Sequence, residues 1–229
     1  MNERLPDVLL GRERIHSVEQ QLALLSCAGV PMPRQPRLSL AISSEAGASA
    51  RTKLIGAGLA VASLTSRRFA IVAPGAAFES KRWGAREFAS VIDHLDDRWQ
   101  LESIIIAGPG QEHLAGEVAG FSNSNPSVLS KVSLPELKAV VGAFGRVFVG
   151  NDSGPMHIAS ALGCPVVAVF GSSNPDVWHP WTGAAYRVLG GERGTADSNV
   201  RGSIATVGVH EVIAAVDEVI ESATTRAAS

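Results

Sequence analysis

The stretch Asn151-Asp152-Ser153-Gly154-Pro155-Met156-His157 follows the apolar run Arg146-Val147-Phe148-Val149-Gly150 and precedes Ile158-Ala159-Ser160-Ala161-Leu162-Gly163. A β-branched run, a polar turn with glycine, a proline and a small-residue segment closing on glycine read as a strand feeding a helix. Pro155 suits the first helical position, where a missing N–H costs no hydrogen bond. Ser153, the orphan donors of the first turn and the His157 imidazole then gather where the helix macrodipole is positive, a ready anion site. The chemistry suggested is the holding of a phosphate or diphosphate. A turn aspartate and a packed histidine are the plainer reading of Asp152 and His157. Asp, Ser, Gly and His at one helix start nevertheless exceed what capping requires.

Outward from this stretch the same alternation repeats. Strands are expected at 69–72, 103–108, 128–129, 146–150, 166–170 and 186–189, and helices at 85–98, 112–119, 134–144, 155–162 and 210–222. Ser133 with Glu136 three residues on is a capping-box pattern. Continuous Val/Ile runs alternating with helices argue an α/β fold, a Rossmann-like parallel sheet covered by helices on both faces. Upstream the texture differs. Pro31, Pro33 and Pro36 sit in one short linker between a helix at 16–28, with Val18, Leu22 and Leu25 as its buried stripe, and an Ala-rich helix at 44–64. Residues 1–66 therefore read as a helical arm and linker, and 67–229 as the Rossmann-like domain.

Composition narrows the class. With 229 residues, 45% of them hydrophobic and 18% charged, the chain can bury a full core without staples. A net charge of −2 leaves no basic excess for nucleic acid. Cys27 and Cys164 are too few for a disulfide framework or a zinc site, and Cys164, ahead of Pro165, reads as core packing. No run of about 18 apolar residues and no signal peptide appears. The expectation is a cytoplasmic protein without a transmembrane segment.

Ligands of such sheets bind beyond the carboxyl ends of the strands. Besides 151–157, three loops there carry unusual chemistry. In 73–83, Pro74-Gly75 turns tightly, small residues admit a ligand to the backbone, and Lys81 supplies charge; the P-loop spacing is absent. The plainer reading is a strand-to-helix loop with a solvated Lys81-Arg82 pair, Lys81 adding little to stability. In 108–112, Glu112 in a first helical turn suits the dipole whatever its role; alternatively it reads a nucleotide ribose or base. In 171–181, Trp178, His179 and Trp181 either pack on a ring or cover their own domain.

Pro-Gly-Ala-x(4)-Lys-Arg-Trp at 74–83, Gly108-Pro109 with acid following, Asn151 to His157, and Ala161-Leu162-Gly163-Cys164-Pro165-Val166-Val167-Ala168-Val169-Phe170-Gly171 running into Pro175 and Trp181 together resemble glycosyltransferase family 9, the ADP-heptose:lipopolysaccharide heptosyltransferases. Residues 15–30 also resemble the segment that leaves the family's first domain. The resemblance implies the C-terminal half of a GT-B fold, two Rossmann-like domains facing across a cleft. It implies inverting, metal-independent transfer of a sugar, heptose in the type members, from an ADP-sugar donor to a lipopolysaccharide core acceptor. No cofactor or metal is implied. By position, Lys81, Ser153, Gly154 and His157 would hold the donor diphosphate, Asp152 the sugar hydroxyls or neighbouring phosphate, and Glu112 the nucleoside. The general base is expected from an N-terminal domain, separately encoded or otherwise missing, because 1–66 lacks an alternating βα pattern. The enzyme is expected to work in the cytoplasm, at the inner face of the inner membrane. The alternatives are a non-catalytic nucleotide-sugar-binding module and another GT-B enzyme such as a nucleotide-sugar epimerase.

Overall fold

The computed structural model describes residues 15–31, 33–60, 64, 69–191 and 204–228. In chain order it contains α1 (Ser17–Cys27), α2 (Ser44–Gly56), β1 (Phe69–Ala73), α3 (Ala85–Trp99), β2 (Ser103–Ile106), α4 (Glu112–Phe121) and β3 (Ser127–Leu129). There follow α5 (Leu134–Phe144), β4 (Gly145–Asn151), α6 (Gly154–Ala161), β5 (Val166–Phe170), α7 (Pro175–Trp178), β6 (Tyr186–Gly190) and α8 (Val209–Ala228). The six strands pair in the order β3-β2-β1-β4-β5-β6, every pair parallel.

The apolar runs are continuous because both faces of this sheet are covered. Ala70, Val72, Ile105, Val147, Val149, Val167 and Val169 pack with α3, α4 and α8. Their alternating neighbours Phe69, Ile71, Ile104, Phe148, Val166, Ala168 and Phe170 pack with α2, α5 and α6. Phe88, Val91, Ile92 and Leu95 are the buried stripe of α3, as the periodicity predicts. Cys164 is buried in the core and Cys27 is exposed. Ser133 and Glu136 form the expected capping box, and Glu136 also accepts from Ser49 Oγ (2.6 Å) and Lys53 Nζ (2.9 Å), which fastens α2 to α5.

Several expectations change. The helix expected over 44–64 ends at Gly56, where Ala57 caps it and Gly58 turns the chain at φ +95°; residues 61–63 lie outside the described residues. Its Ala46, Ala50 and Leu54 are buried against the sheet layer. The stripe expected on α1 is only partly covered: Val18 and Leu22 are half-buried, Leu25 is 49% exposed, and Ala23 is the buried residue of the helix. That helix is anchored instead by its N-cap. The His16 ring lies 4.4 Å from that of His179 and 4.5 Å from that of Trp181, and its Nε2–H donates to the His179 carbonyl at 2.9 Å. Pro155 occupies the second helical position of α6, not the first, because the helix begins at Gly154 after its N-cap Ser153. The short α7 was not legible from periodicity, since four residues make barely one turn.

Candidate functional site

β1 leads into α3 on one face of the sheet, and its neighbour β4 leads into α6 on the other. The chain thus diverges at the β1/β4 boundary and leaves a crevice at their carboxyl ends. Asn151, fully buried at the end of β4, holds that crevice in shape. Its Nδ2 donates to the Pro74 carbonyl (2.7 Å) and its Oδ1 accepts from the Trp83 backbone N–H (3.1 Å). Trp83 is itself buried, its indole N–H donating to the Val207 carbonyl at 3.0 Å. Arg82 Nε and Gln111 Nε2 both donate to the Ala76 carbonyl at 3.1 Å, so the 74–83 loop is braced from two sides. The turn at Glu79–Lys81 is pressed from a third: a Cβ on Gly171 would stand 2.2 Å from the Ser80 carbonyl oxygen.

This bracing delivers Lys81 to Asp152. Lys81 Nζ donates to Asp152 Oδ2 at 2.7 Å, with the side chains 25% and 6% exposed. Ser173 Oγ donates to the same oxygen, and His157 Nε2 lies 3.9 Å from Oδ1. The expected solvated Lys–Arg pair is therefore not what folds: both side chains are engaged, because Trp83 plants the turn that carries them. Burial pushes the His157 imidazole below its ordinary 6.5; the Asp152 carboxylate raises it and Lys81 lowers it again, and burial prevails. At neutral pH the ring is neutral and keeps one N–H to give.

Ser153 has an extended backbone and its hydroxyl donates to the Asn151 carbonyl (3.2 Å) instead of capping α6. Among the described residues nothing accepts from the backbone N–H groups of Ser153 and Gly154. A Cβ on Gly154 would meet nothing within 4 Å and the residue is exposed, so the start of α6 is open at this point. An ammonium, an imidazole and two free N–H groups around one opening can take a diphosphate, with Asp152 as the internal counter-ion of Lys81.

Lys81, Asp152, Ser153, Gly154 and His157 thus stand at one crevice, whereas Glu112 stands apart. It is exposed at the first turn of α4, beyond the end of β2, while its neighbour Gln111 turns in toward Gly75. Sequence reasoning passed over Asn151 as a fastener, Gln111 and Ser173. The signal for Asn151 was a polar residue closing a strand buried on both faces. For Ser173 there was only its place after β5, next to β4. A groove of about 780 Å³ lies away from the crevice, lined by residues 35–38, the end of α6 and the 179–186 segment. Among the described residues no group of three or more His, Cys, Asp or Glu gathers as a metal site. Among the described residues no helix is long and apolar enough to cross a membrane.

A family model described as glycosyltransferase family 9 (heptosyltransferase) matches residues 11–206. Lipopolysaccharide heptosyltransferase 3 of Escherichia coli is 32% identical over 168 residues, which cover 69% of this chain and 49% of that protein. The chain therefore spans about half the length of that relative. Among solved structures, the glycosyl transferase family 9 protein of Veillonella parvula superposes with a TM-score of 0.76 at 23% identity, over 96% of this chain and 62% of that one. The E. coli ADP-heptose lps heptosyltransferase II superposes with a TM-score of 0.66 at 22% identity, over 85% and 56%. At these identities the two structures establish the fold alone, a parallel α/β sheet with helices that matches part of each of those chains.

Proposed function

The chain belongs to glycosyltransferase family 9, and from that premise we propose that it is the donor-binding half of a heptosyltransferase, which presents an ADP-sugar for inverting, metal-independent transfer to a lipopolysaccharide core acceptor. The observation that carries the reading is the meeting of Lys81, Asp152, His157 and the free N–H groups of Ser153 and Gly154 at the β1/β4 crevice.

In this reading the donor diphosphate takes the place of Asp152 as the partner of Lys81. Ser153 and Gly154 give their N–H groups to phosphate oxygens, and His157 gives its own. As the bond from the sugar to the diphosphate breaks, negative charge grows on the leaving oxygen, and fixed donors aimed there stabilise it without reorganisation. Asp152, released from Lys81, accepts from a sugar hydroxyl or keeps the adjacent phosphate in register. Glu112 reads the nucleoside from the β2 side. The acceptor, and the carboxylate that takes its proton, belong to a first domain facing this one, on the same or a separate polypeptide. Residues 67–229 are then the donor domain and 1–66 its junction to that first domain, with α2 packed on the donor side. The reaction belongs at the cytoplasmic face of the inner membrane, where the acceptor is built.

The test pairs binding with turnover. The chain is dialysed against ADP-heptose, then incubated with donor and a truncated lipopolysaccharide acceptor, and product is followed by mass spectrometry. Retention of donor without multiple turnovers is expected, since general base catalysis contributes about 10²–10⁴-fold and acceptor positioning more. Failure to retain donor contradicts the donor-site reading. Repeated turnover by the chain alone contradicts the placement of the base.

A further inference from the structure

We propose that Trp178 is the platform for the sugar ring of the donor, its indole face lying on the ring's C–H face and its indole N–H reaching a sugar hydroxyl; this rests on the donor-site reading above. Three observations converge on it. The first is position in the sheet. The anion crevice lies between β1 and β4, with β2 on one side and β5 on the other. A nucleoside held near Gln111 and Glu112, beyond the end of β2, sends the far end of the diphosphate toward β5. From β2 to β5 is three strand spacings, about 14 Å, a span suited to an extended nucleoside diphosphate sugar. Trp178 closes the short helix that follows β5.

The second is contact with the crevice. The Trp178 ring meets the His157 imidazole edge to face, with centroids 6.4 Å apart and planes at 65°. His157 in turn faces Asp152. Ser173, earlier in the same post-β5 segment, donates to Asp152. The loop bearing Trp178 is therefore part of the wall of the crevice.

The third is what Trp178 lacks. The other three tryptophans bind through their indole N–H: Trp83 to the Val207 carbonyl, Trp99 to Asp217 and Trp181 to the Pro36 carbonyl. Trp178 has no such partner among the described residues, and it is 44% exposed. A large aromatic surface and a free donor, held beside an anion site, fit a ligand with both an apolar face and hydroxyls. A pyranose ring has both. His179 and Trp181, by contrast, pack inward on His16 and Tyr186, which leaves Trp178 as the ring of this loop that is open to a ligand.

The test separates the two halves of the donor. Affinities for ADP and for ADP-heptose are measured by calorimetry on the parent, Trp178→Ala and Trp178→Phe, with melting temperatures as a control on folding. Trp178→Ala is expected to leave ADP binding within about twofold and to weaken ADP-heptose by about 5- to 30-fold, as loss of a stacking face and one hydrogen bond implies. Trp178→Phe, which keeps a ring but has no N–H, is expected to restore only part of that loss. Equal weakening for ADP and ADP-heptose, or no weakening of either, overturns the sugar platform while leaving the diphosphate site standing. A parent that binds neither ligand overturns the site itself, and the platform with it.

Discussion

At Lys81 a single ion pair decides between two roles. Its ammonium is bonded to an Asp152 carboxylate that is almost wholly buried, so Lys81→Ala removes a phosphate partner and also strips the counter-ion from a buried charge. Charge-assisted contacts of this kind are worth about 1.5–3 kcal/mol, so ADP binding is expected to weaken by roughly 10- to 150-fold. Stability is expected to fall by about 1–2 kcal/mol as well, contrary to what an exposed lysine would do. Calorimetry and thermal melts check the two effects, and unchanged ADP affinity would place Lys81 outside the site. His157 supplies the pH dependence. Burial holds its ring below 6.5 in the free protein, with Asp152 and Lys81 pulling in opposite senses; a bound diphosphate adds negative charge beside the imidazole and raises it. The complex then binds a proton more tightly than the free protein, so donor affinity should increase as pH falls from 8 toward 6. ADP-heptose is the ligand to titrate, because its diphosphate has no terminal phosphate to protonate in this range. The slope should vanish in His157→Gln; a slope that survives this change assigns the proton elsewhere.

At the scale of elements, the loops are held by close approach and the helices by buried polar groups. Gly171 lets the segment after β5 touch the turn at Glu79–Lys81, with the Ser80 carbonyl 2.2 Å from where a Cβ would stand. Gly171→Ala must push backbone apart and is expected to cost about 1–3 kcal/mol and to weaken ADP binding by moving Lys81. A variant with parental melting temperature and affinity would show that the turn is not positioned this way. Glu136 joins α2 to α5, and hydrogen bonds from Ser49, Lys53 and Ser133 hold its carboxyl at about 2, well below the ordinary 4.5. A depressed carboxyl stabilises the fold fully above 4.5, and that contribution is lost as pH falls from 4.5 toward 2. Melting curves across this window should show the loss in the parent, and it should be much smaller in Glu136→Gln; identical acid profiles would exclude the α2–α5 junction as its source. The sequence revealed the capping box but not this junction, because Ser49 and Lys53 are 87 and 83 residues away from it. It likewise revealed Lys81, Asp152 and His157 as residues of interest through local density at one helix start and one glycine turn. Their convergence depended on strand order, which periodicity does not encode. α1 misled for a related reason: helical spacing of Val18, Leu22 and Leu25 signals amphipathicity, but nothing local says whether a partner covers the stripe, and here Leu25 is 49% exposed.

For the whole molecule, topology chooses where a ligand can bind. Six parallel strands with both faces covered leave the carboxyl ends as the place where backbone donors and charged side chains can meet unpaired, and the β1/β4 divergence chooses the point among them. The chain belongs to glycosyltransferase family 9 and spans about half the length of a heptosyltransferase that it matches. As proposed above, a sheet with two helical layers and the Lys81–Asp152–His157 site at its carboxyl ends should bind a nucleotide whether or not transfer can occur. The central claim is therefore tested most directly by titrating the chain with ADP in EDTA, free of divalent cations, and following the heat. The account predicts a single site with a dissociation constant of millimolar or below, weakened in Lys81→Ala; binding that appears only when Mg²⁺ is added, or none at millimolar ADP, would contradict it.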